Sequence, residues 1–216
     1  MSNLRTFGYK DQGKERRPAM KHEAEIKELL ISNAINLVAE GGFEKATTKE
    51  LAFYGGNLAD VKMNEVYIYR LFGNKERLFE AAFRQLDTEL FYVIRSGADA
   101  IGGFKQDKEH VFTFLEKAWE FITMREARCR YYVRYIYSIH FQGAVVEEHK
   151  KLFAGIVAEM KPIFKDEADV TAILRSVLTT FLDFATCVFN GELANDEINR
   201  PHVFNVLYCI MMTYFK

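Results

Sequence analysis

The stretch MNEVYIYRLFGNKERLF, residues 63–79, sets two tyrosines two positions apart, then Leu71-Phe72-Gly73, then Asn74-Lys75-Glu76 and a fresh apolar run. Asn64 is suited to cap a short helix from Glu65 to about Phe72, because a short polar side chain satisfies the free amides of a first turn. Gly73 then ends that helix and Asn74 starts another. The new helix carries Phe79, Ala82, Phe83, Leu86, Leu90, Val93 and Ile94 at helical spacing.

Upstream, a helical stripe of Ile26, Leu29, Leu30, Ala34, Leu37 and Val38 begins after Glu23 and stops at Gly41-Gly42. Thr47 and Glu50 have the Thr-x-x-Glu spacing of a capping box. The helix they start is halted at once by Gly55-Gly56. Three helices in this span, the second and third short, predict a helix-turn-helix unit. In that geometry the third helix enters the DNA major groove. Asn64 suits adenine, Glu65 suits cytosine, and the ring of Tyr67 suits a thymine methyl. The Tyr69 hydroxyl is placed for a phosphate, and Arg70 adds a cation on the exposed side. Lys75 opposes its own helix dipole, which a phosphate nearby would explain.

Composition frames these expectations. The chain has 216 residues, 49% of them apolar and 27% charged, with 19 Phe, 11 Tyr and three Pro. That is a core-forming composition. The net charge of −1 excludes a basic nucleic-acid coat. Residues 1–21 are nonetheless basic, with Arg5, Lys10, Lys14, Arg16, Arg17 and Lys21 against Asp11 and Glu15. They read as a mobile arm able to follow a phosphate track. Cys129, Cys187 and Cys209 are far apart in apolar stretches and fit buried free thiols in a reducing cytoplasm. No apolar leader is evident at the N-terminus. The apolar run at Val177–Phe189 is short and carries Asp183, so no membrane span is expected.

Helical patterns continue at about 107–124, 126–141, 144–160, 167–190 and 200–215, after a break at Ser96-Gly97. The fold class is therefore all-α, with about nine helices. The expected division is an arm at 1–21, a DNA-binding unit at 22–75 and a helical domain at 76–216. No enzyme is expected. The five histidines form no Glu-x-x-His, and there is no HExxH, GxSxG, GxGxxG or P-loop, hence no metal site and no cofactor.

Taken together, Gly42-Phe43, Thr47-Thr48, Leu51-Ala52, Tyr69-x-x-Phe72 and Lys75-Glu76 resemble the N-terminal signature of the tetracycline-repressor (TetR) family of bacterial transcription regulators. The resemblance covers about residues 24–83. It implies that Thr47, Tyr69 and Lys75 touch the DNA backbone, with Thr48 in the matched signature. It places Asn64, Glu65, Tyr67 and Arg70 on the recognition helix, and Ala52, Ile68 and Phe72 in the core. One departure stands out: Ala52 and Tyr69 are 17 positions apart, more than the family's tight turn needs. The extra residues fall at Gly55–Lys62 and bring Asp60 and Lys62 toward the DNA.

The resemblance further implies a C-terminal half that dimerises and holds a small-molecule effector. The aromatic stretches 118–124 and 129–141 suggest a pocket of Trp119, Phe121, Tyr131, Tyr132 and Tyr135. Arg128 there would suit an aromatic or lipophilic anion, and Asp183 would instead favour a cation. Apolar residues surround much of the last two helices, so Val177, Phe181, Leu182, Val188, Val206 and Ile210 are expected at a homodimer interface. The expected function is a dimeric repressor released from its double-stranded operator by that effector. The alternative is a helical small-molecule or protein-binding module that has lost DNA recognition through the Gly55–Lys62 insertion.

Overall fold

The structure is a computed structural model that describes residues 16–56 and 62–216, with side chains from His22 onward. Among these residues the regular elements are nine α-helices and one short 3₁₀ turn. The helices are α1 (Arg16–Gly41), α2 (Thr48–Phe53), α3 (Val66–Phe72), α4 (Lys75–Ala100), α5 (Lys108–Thr123), α6 (Glu126–Ile136), α7 (Ala144–Met160), α8 (Val170–Phe189) and α9 (Asn199–Met212). The all-α expectation holds, and an isolated bridge between Phe164 and Phe215 is the extent of β pairing among the described residues.

The first three helices form a unit around α1, whose Ile26, Leu30, Ile31, Ala34, Ile35 and Val38 are buried. Spacings of three, four and five keep these on one broad face. Ala52 of α2 and Ile68 and Phe72 of α3 are buried against that face, as the sequence implied. Buried Asn33 donates from Nδ2 to the Leu51 carbonyl at 2.8 Å, which fastens α2 to α1. Gly55 lies so close to this joint that a Cβ would sit 2.6 Å from both Asn33 Oδ1 and Leu29 Cδ1. A side chain at this position would have to displace Asn33 or Leu29.

α4 leaves this unit and runs into the rest of the chain. Arg84 pairs with Glu148 at 2.6 Å and Arg95 with Glu159 at 2.6 Å, so α4 and α7 lie side by side and parallel. α5 packs on α4, α6, α8 and α9, and α8 packs on α9. One continuous apolar core extends from Ile26 to Met211.

Four expectations need correction. The first helix reaches back to Arg16, so residues 16–21 are helical and not arm; residues 1–15 lie outside the described residues. Pro18 is tolerated because first-turn amides lack helical partners. α4 does not break at Ser96-Gly97 but continues to Ala100, since Gly97 lets α5 approach: a Cβ there would be 3.3 Å from the Phe114 ring. The helix expected over 126–141 ends at Ile136, after which Ser138 Oγ bonds the Tyr135 carbonyl at 2.8 Å and turns the chain. Cys129 is buried, but Cys187 is half-buried and Cys209 exposed; all three are free. Burial pushes the Cys129 thiol up to about 12.

Candidate functional site

The turn regions around α2 and α3 bring the sequence-derived DNA candidates to one end of the molecule. Thr47 caps α2: its Oγ1 accepts from the Glu50 amide at 3.2 Å, and Glu50 Oε2 accepts from the Thr47 amide at 3.1 Å. The Thr47 amide first, and the Thr47 hydroxyl donating to Glu50 Oε2 at 2.9 Å second, hold the Glu50 carboxyl below the usual carboxylate range. Asn64 Oδ1 accepts from the Val66 amide at 2.9 Å and so starts α3. Gly73, at φ 86°, closes α3 in the left-handed region that glycine favours. Asn74 Oδ1 accepts from the Arg77 amide at 2.8 Å and starts α4.

α3 is thus held on both sides, buried through Ile68 and Phe72, and open on its other face. Lys62, Asn64, Tyr69 and Arg70 are exposed, and Lys75 is half-buried with Nζ 5.9 Å from the Phe79 ring centre. Tyr67 is half-buried beneath the Arg70 guanidinium, 4.7 Å from the ring centre. Glu65 has a different occupation: its Oε2 accepts from Thr48 Oγ1 at 2.6 Å and braces α3 against α2. Val66, missed from sequence, is 67% exposed beside Asn64 and Tyr69. An apolar side chain that open, between polar neighbours at a helix start, was its available signal. The Gly55–Lys62 insertion falls mostly on 57–61, so Asp60 lies outside the described residues.

Behind this end, rings stack from α1 toward the C-terminal helices. Phe43 meets Phe79 at 5.1 Å and His140 at 4.8 Å. Phe83 stacks on Tyr135 at 4.4 Å and touches Phe141 at 5.4 Å. Phe141 in turn meets His149, 4.9 Å from Phe153. Buried Asp87 of α4 accepts from His149 Nδ1 at 3.0 Å and from the Tyr132 hydroxyl at 2.8 Å.

Phe141, His149 and Phe153 open onto a cavity of about 690 Å³ between α4, α5, α6, α7 and α8. That volume is ample for a small molecule. Of the pocket residues expected from sequence, Tyr132 lines this cavity and the others do not. Trp119 is core, donating to Asn195 Oδ1 at 2.7 Å and packed on Phe181. Tyr131 and Tyr135 are buried in the ring stack. Phe121 and Arg128 border a separate void of about 40 Å³, with Arg128 paired to Glu89. Asp183 is exposed on the outside of α8. The walls are instead aliphatic and aromatic residues of α5, α7 and α8, whose apolar faces read as ordinary core.

Of the expected interface residues, Phe181 and Leu182 are buried within the chain itself, against the α5 and α6 side. Val177 lines the cavity and so faces its own chain, whereas Val188 and Ile210 are half-buried and Val206 is 43% exposed. Among the described residues, α8 is the one helix long and apolar enough to cross a bilayer, although its buried side packs within this bundle. No group of metal-ligating side chains occurs among the described residues.

No protein-family model matches the sequence, and a search of curated proteins finds no match. Solved structures do match. A TetR family transcription regulator from Marinobacter aquaeolei VT8 superposes with a TM-score of 0.71 at 14% identity, over 91% of this chain and 100% of the other. The chain has the fold of the TetR-family regulators. A putative TetR family regulator from Shewanella sp. PV-4 gives 0.68 at 15% identity, over 86% and 97% of the two chains. A TetR-like regulator from Rhodococcus sp. RHA1 gives 0.61 at 16%, over 87% and 93%. The likeness spans the whole TetR fold, the C-terminal helices as well as the three-helix unit.

Proposed function

We propose that this chain is a dimeric transcriptional regulator that reads double-stranded DNA with α3 and is released from it by a small lipophilic effector. The observation that carries the reading is the setting of α3. Ile68 and Phe72 and the Thr48–Glu65 bond fix its inner side, while Asn64, Val66, Tyr69 and Arg70 face solvent together. A helix so braced, with a polar, aromatic and cationic outer face, suits a major groove.

In this reading Thr47, Tyr69 and Lys75 grip phosphates at the edges of the groove, and Lys62 adds a cation at its mouth. Asn64, Val66 and Arg70 meet base edges. Tyr67 and Glu65 position the helix, Tyr67 by supporting Arg70 and Glu65 through Thr48. Two copies are needed for a two-fold operator. The half-buried or exposed Val188, Val206 and Ile210 of α8 and α9 supply the pairing surface. α4 joins the reading end to the cavity wall. An effector that fits the cavity better in one position of α4 than in another shifts the spacing of the two reading helices. It acts only through that difference in affinity. A DNA target places the protein in the cytoplasm, and no catalytic role is assigned.

The test is binding to duplexes selected from random sequence, followed by fluorescence anisotropy across a salt series. Lys75→Ala should weaken binding on every duplex and lower the salt slope by roughly one. Tyr69→Phe should weaken it without changing the slope. Unchanged affinity in both variants would refute the backbone contacts.

A further inference from the structure

We propose that the cavity takes a long-chain lipophilic carboxylate, with its anionic head at the far end of the bundle and its tail directed toward His149 and α4. The proposal rests on the cavity being the effector site and adds the class and orientation of the occupant.

Three observations point to it. First, the basic side chains that line the cavity are Lys105, His110, His149, Lys150, Lys161 and Arg175, and no carboxylate lines it. An enclosure of apolar walls and basic groups favours an anion over a cation or a neutral molecule. Second, the basic groups differ in how they are engaged. At the end nearer the reading helices, His149 is taken by Asp87 at 3.0 Å and Lys150 by Glu147 at 2.9 Å. Lys105, Lys161 and Arg175 have no ion pair among the described residues. Of the carboxylates around that end, Glu159 is paired with Arg95 at 2.6 Å and Asp166 with Lys216 at 3.0 Å, while Asp107 and Asp169 accept from the His110 and Ala172 amides as helix caps.

Third, the two sets lie at opposite ends. α4 and α7 are parallel, so Lys105, just past the end of α4, and Lys161, just past the end of α7, share the far end. The short 164–169 link brings the start of α8, and with it Arg175, to the same place. From His149 to Lys161 the cavity wall runs about 18 Å at the helical rise per residue, the reach of a long acyl chain. Between the ends the wall is apolar, with Phe153, Val157, Leu174 and Leu178. Buried Asp87 behind His149 repels an anion at the near end, which sets the direction. A short acid anchored at Lys161 and Arg175 would not reach Phe141 and His149; a long one would.

The experiment is calorimetric titration of the full chain with palmitate, octanoate, hexadecanol and hexadecyltrimethylammonium, each below its micelle concentration. Palmitate should bind at least tenfold tighter than each of the other three. The double variant Lys161→Glu, Arg175→Glu alters two exposed positions; its folding is checked by thermal melting. It should lose at least tenfold in palmitate affinity and leave hexadecanol affinity unchanged. Val157→Trp with Leu178→Trp, which narrows the cavity between its α7 and α8 walls, should weaken both by at least tenfold. Equal binding of palmitate and hexadecanol would overturn the anionic head, and palmitate affinity untouched in the folded double-Trp variant would overturn the site. No palmitate binding at all would overturn the ligand class. DNA binding is measured separately: tight palmitate binding by a chain that selects no duplex leaves this inference standing and removes the regulatory reading.

Discussion

Glu65 can either accept from a base or accept from Thr48, and at 2.6 Å the Thr48 hydroxyl holds it. Thr48→Val keeps the shape and removes the donor. It should therefore loosen α3 and lower DNA affinity severalfold without altering the salt slope, because no phosphate contact is lost. Glu50 offers a pH test. Its carboxyl is held below its ordinary value of 4.5, so the capping box contributes fully above that value. The contribution is lost as pH falls through the lowered folded value. Hydrogen exchange at the Thr47 amide should accelerate, relative to the intrinsic rate, as pH drops below the carboxylate range. Glu50→Gln, which retains a capping-box side chain, should flatten that dependence. The Thr47–Glu50 box and the Asn74 cap were legible in sequence because both partners lie within one helical turn. The Thr48–Glu65 bond joins residues 17 apart across a turn, and no local pattern encodes it.

At the scale of elements, short helices survive through their ends and their tertiary seats, since isolated helices of this length are marginal in water. Asn74→Ala removes the Oδ1 bond to the Arg77 amide and should cost about 1 kcal/mol in chemical denaturation. Gly55→Ala forces a methyl against Asn33 and Leu29 and should break the Asn33–Leu51 bond. A loss of about 1–3 kcal/mol is expected, from the buried carbonyl left without its donor. A loss below a few tenths would show that Asn33 has room to move. Gly41-Gly42 and Gly73 marked the ends of α1 and α3, and Gly55-Gly56 follows the end of α2 at Phe53 within two residues. Ser96-Gly97 misled. There the glycine serves the approach of Phe114 and the helix continues through it. A single sequence does not separate a stop from a close contact.

For the whole molecule, the all-α architecture was legible from periodicity, and the cavity was not. Periodicity says which face of a helix points inward. It does not say whether the opposite wall meets it. Tyr131 and Tyr135 point inward and are met by Phe43, Phe79 and Phe83, whereas Val157, Leu174 and Leu178 point inward and leave a space. The same limit misassigned Phe181 and Leu182, which face their own chain, to the pairing surface. The outer positions of α9 test that surface: Val206→Glu with Ile210→Glu should convert a dimer to a monomer in light scattering and reduce operator affinity by more than tenfold. A dimer that persists would move the interface elsewhere. Selection of duplexes from random sequence by the full chain tests the central claim most directly. A DNA-reading regulator should enrich a two-fold symmetric motif, bind it with an affinity that falls steeply as salt rises, and lose the motif's preference in Asn64→Ala and Arg70→Ala. Failure to enrich any motif, or enrichment untouched by both substitutions, would contradict α3 as the reading helix.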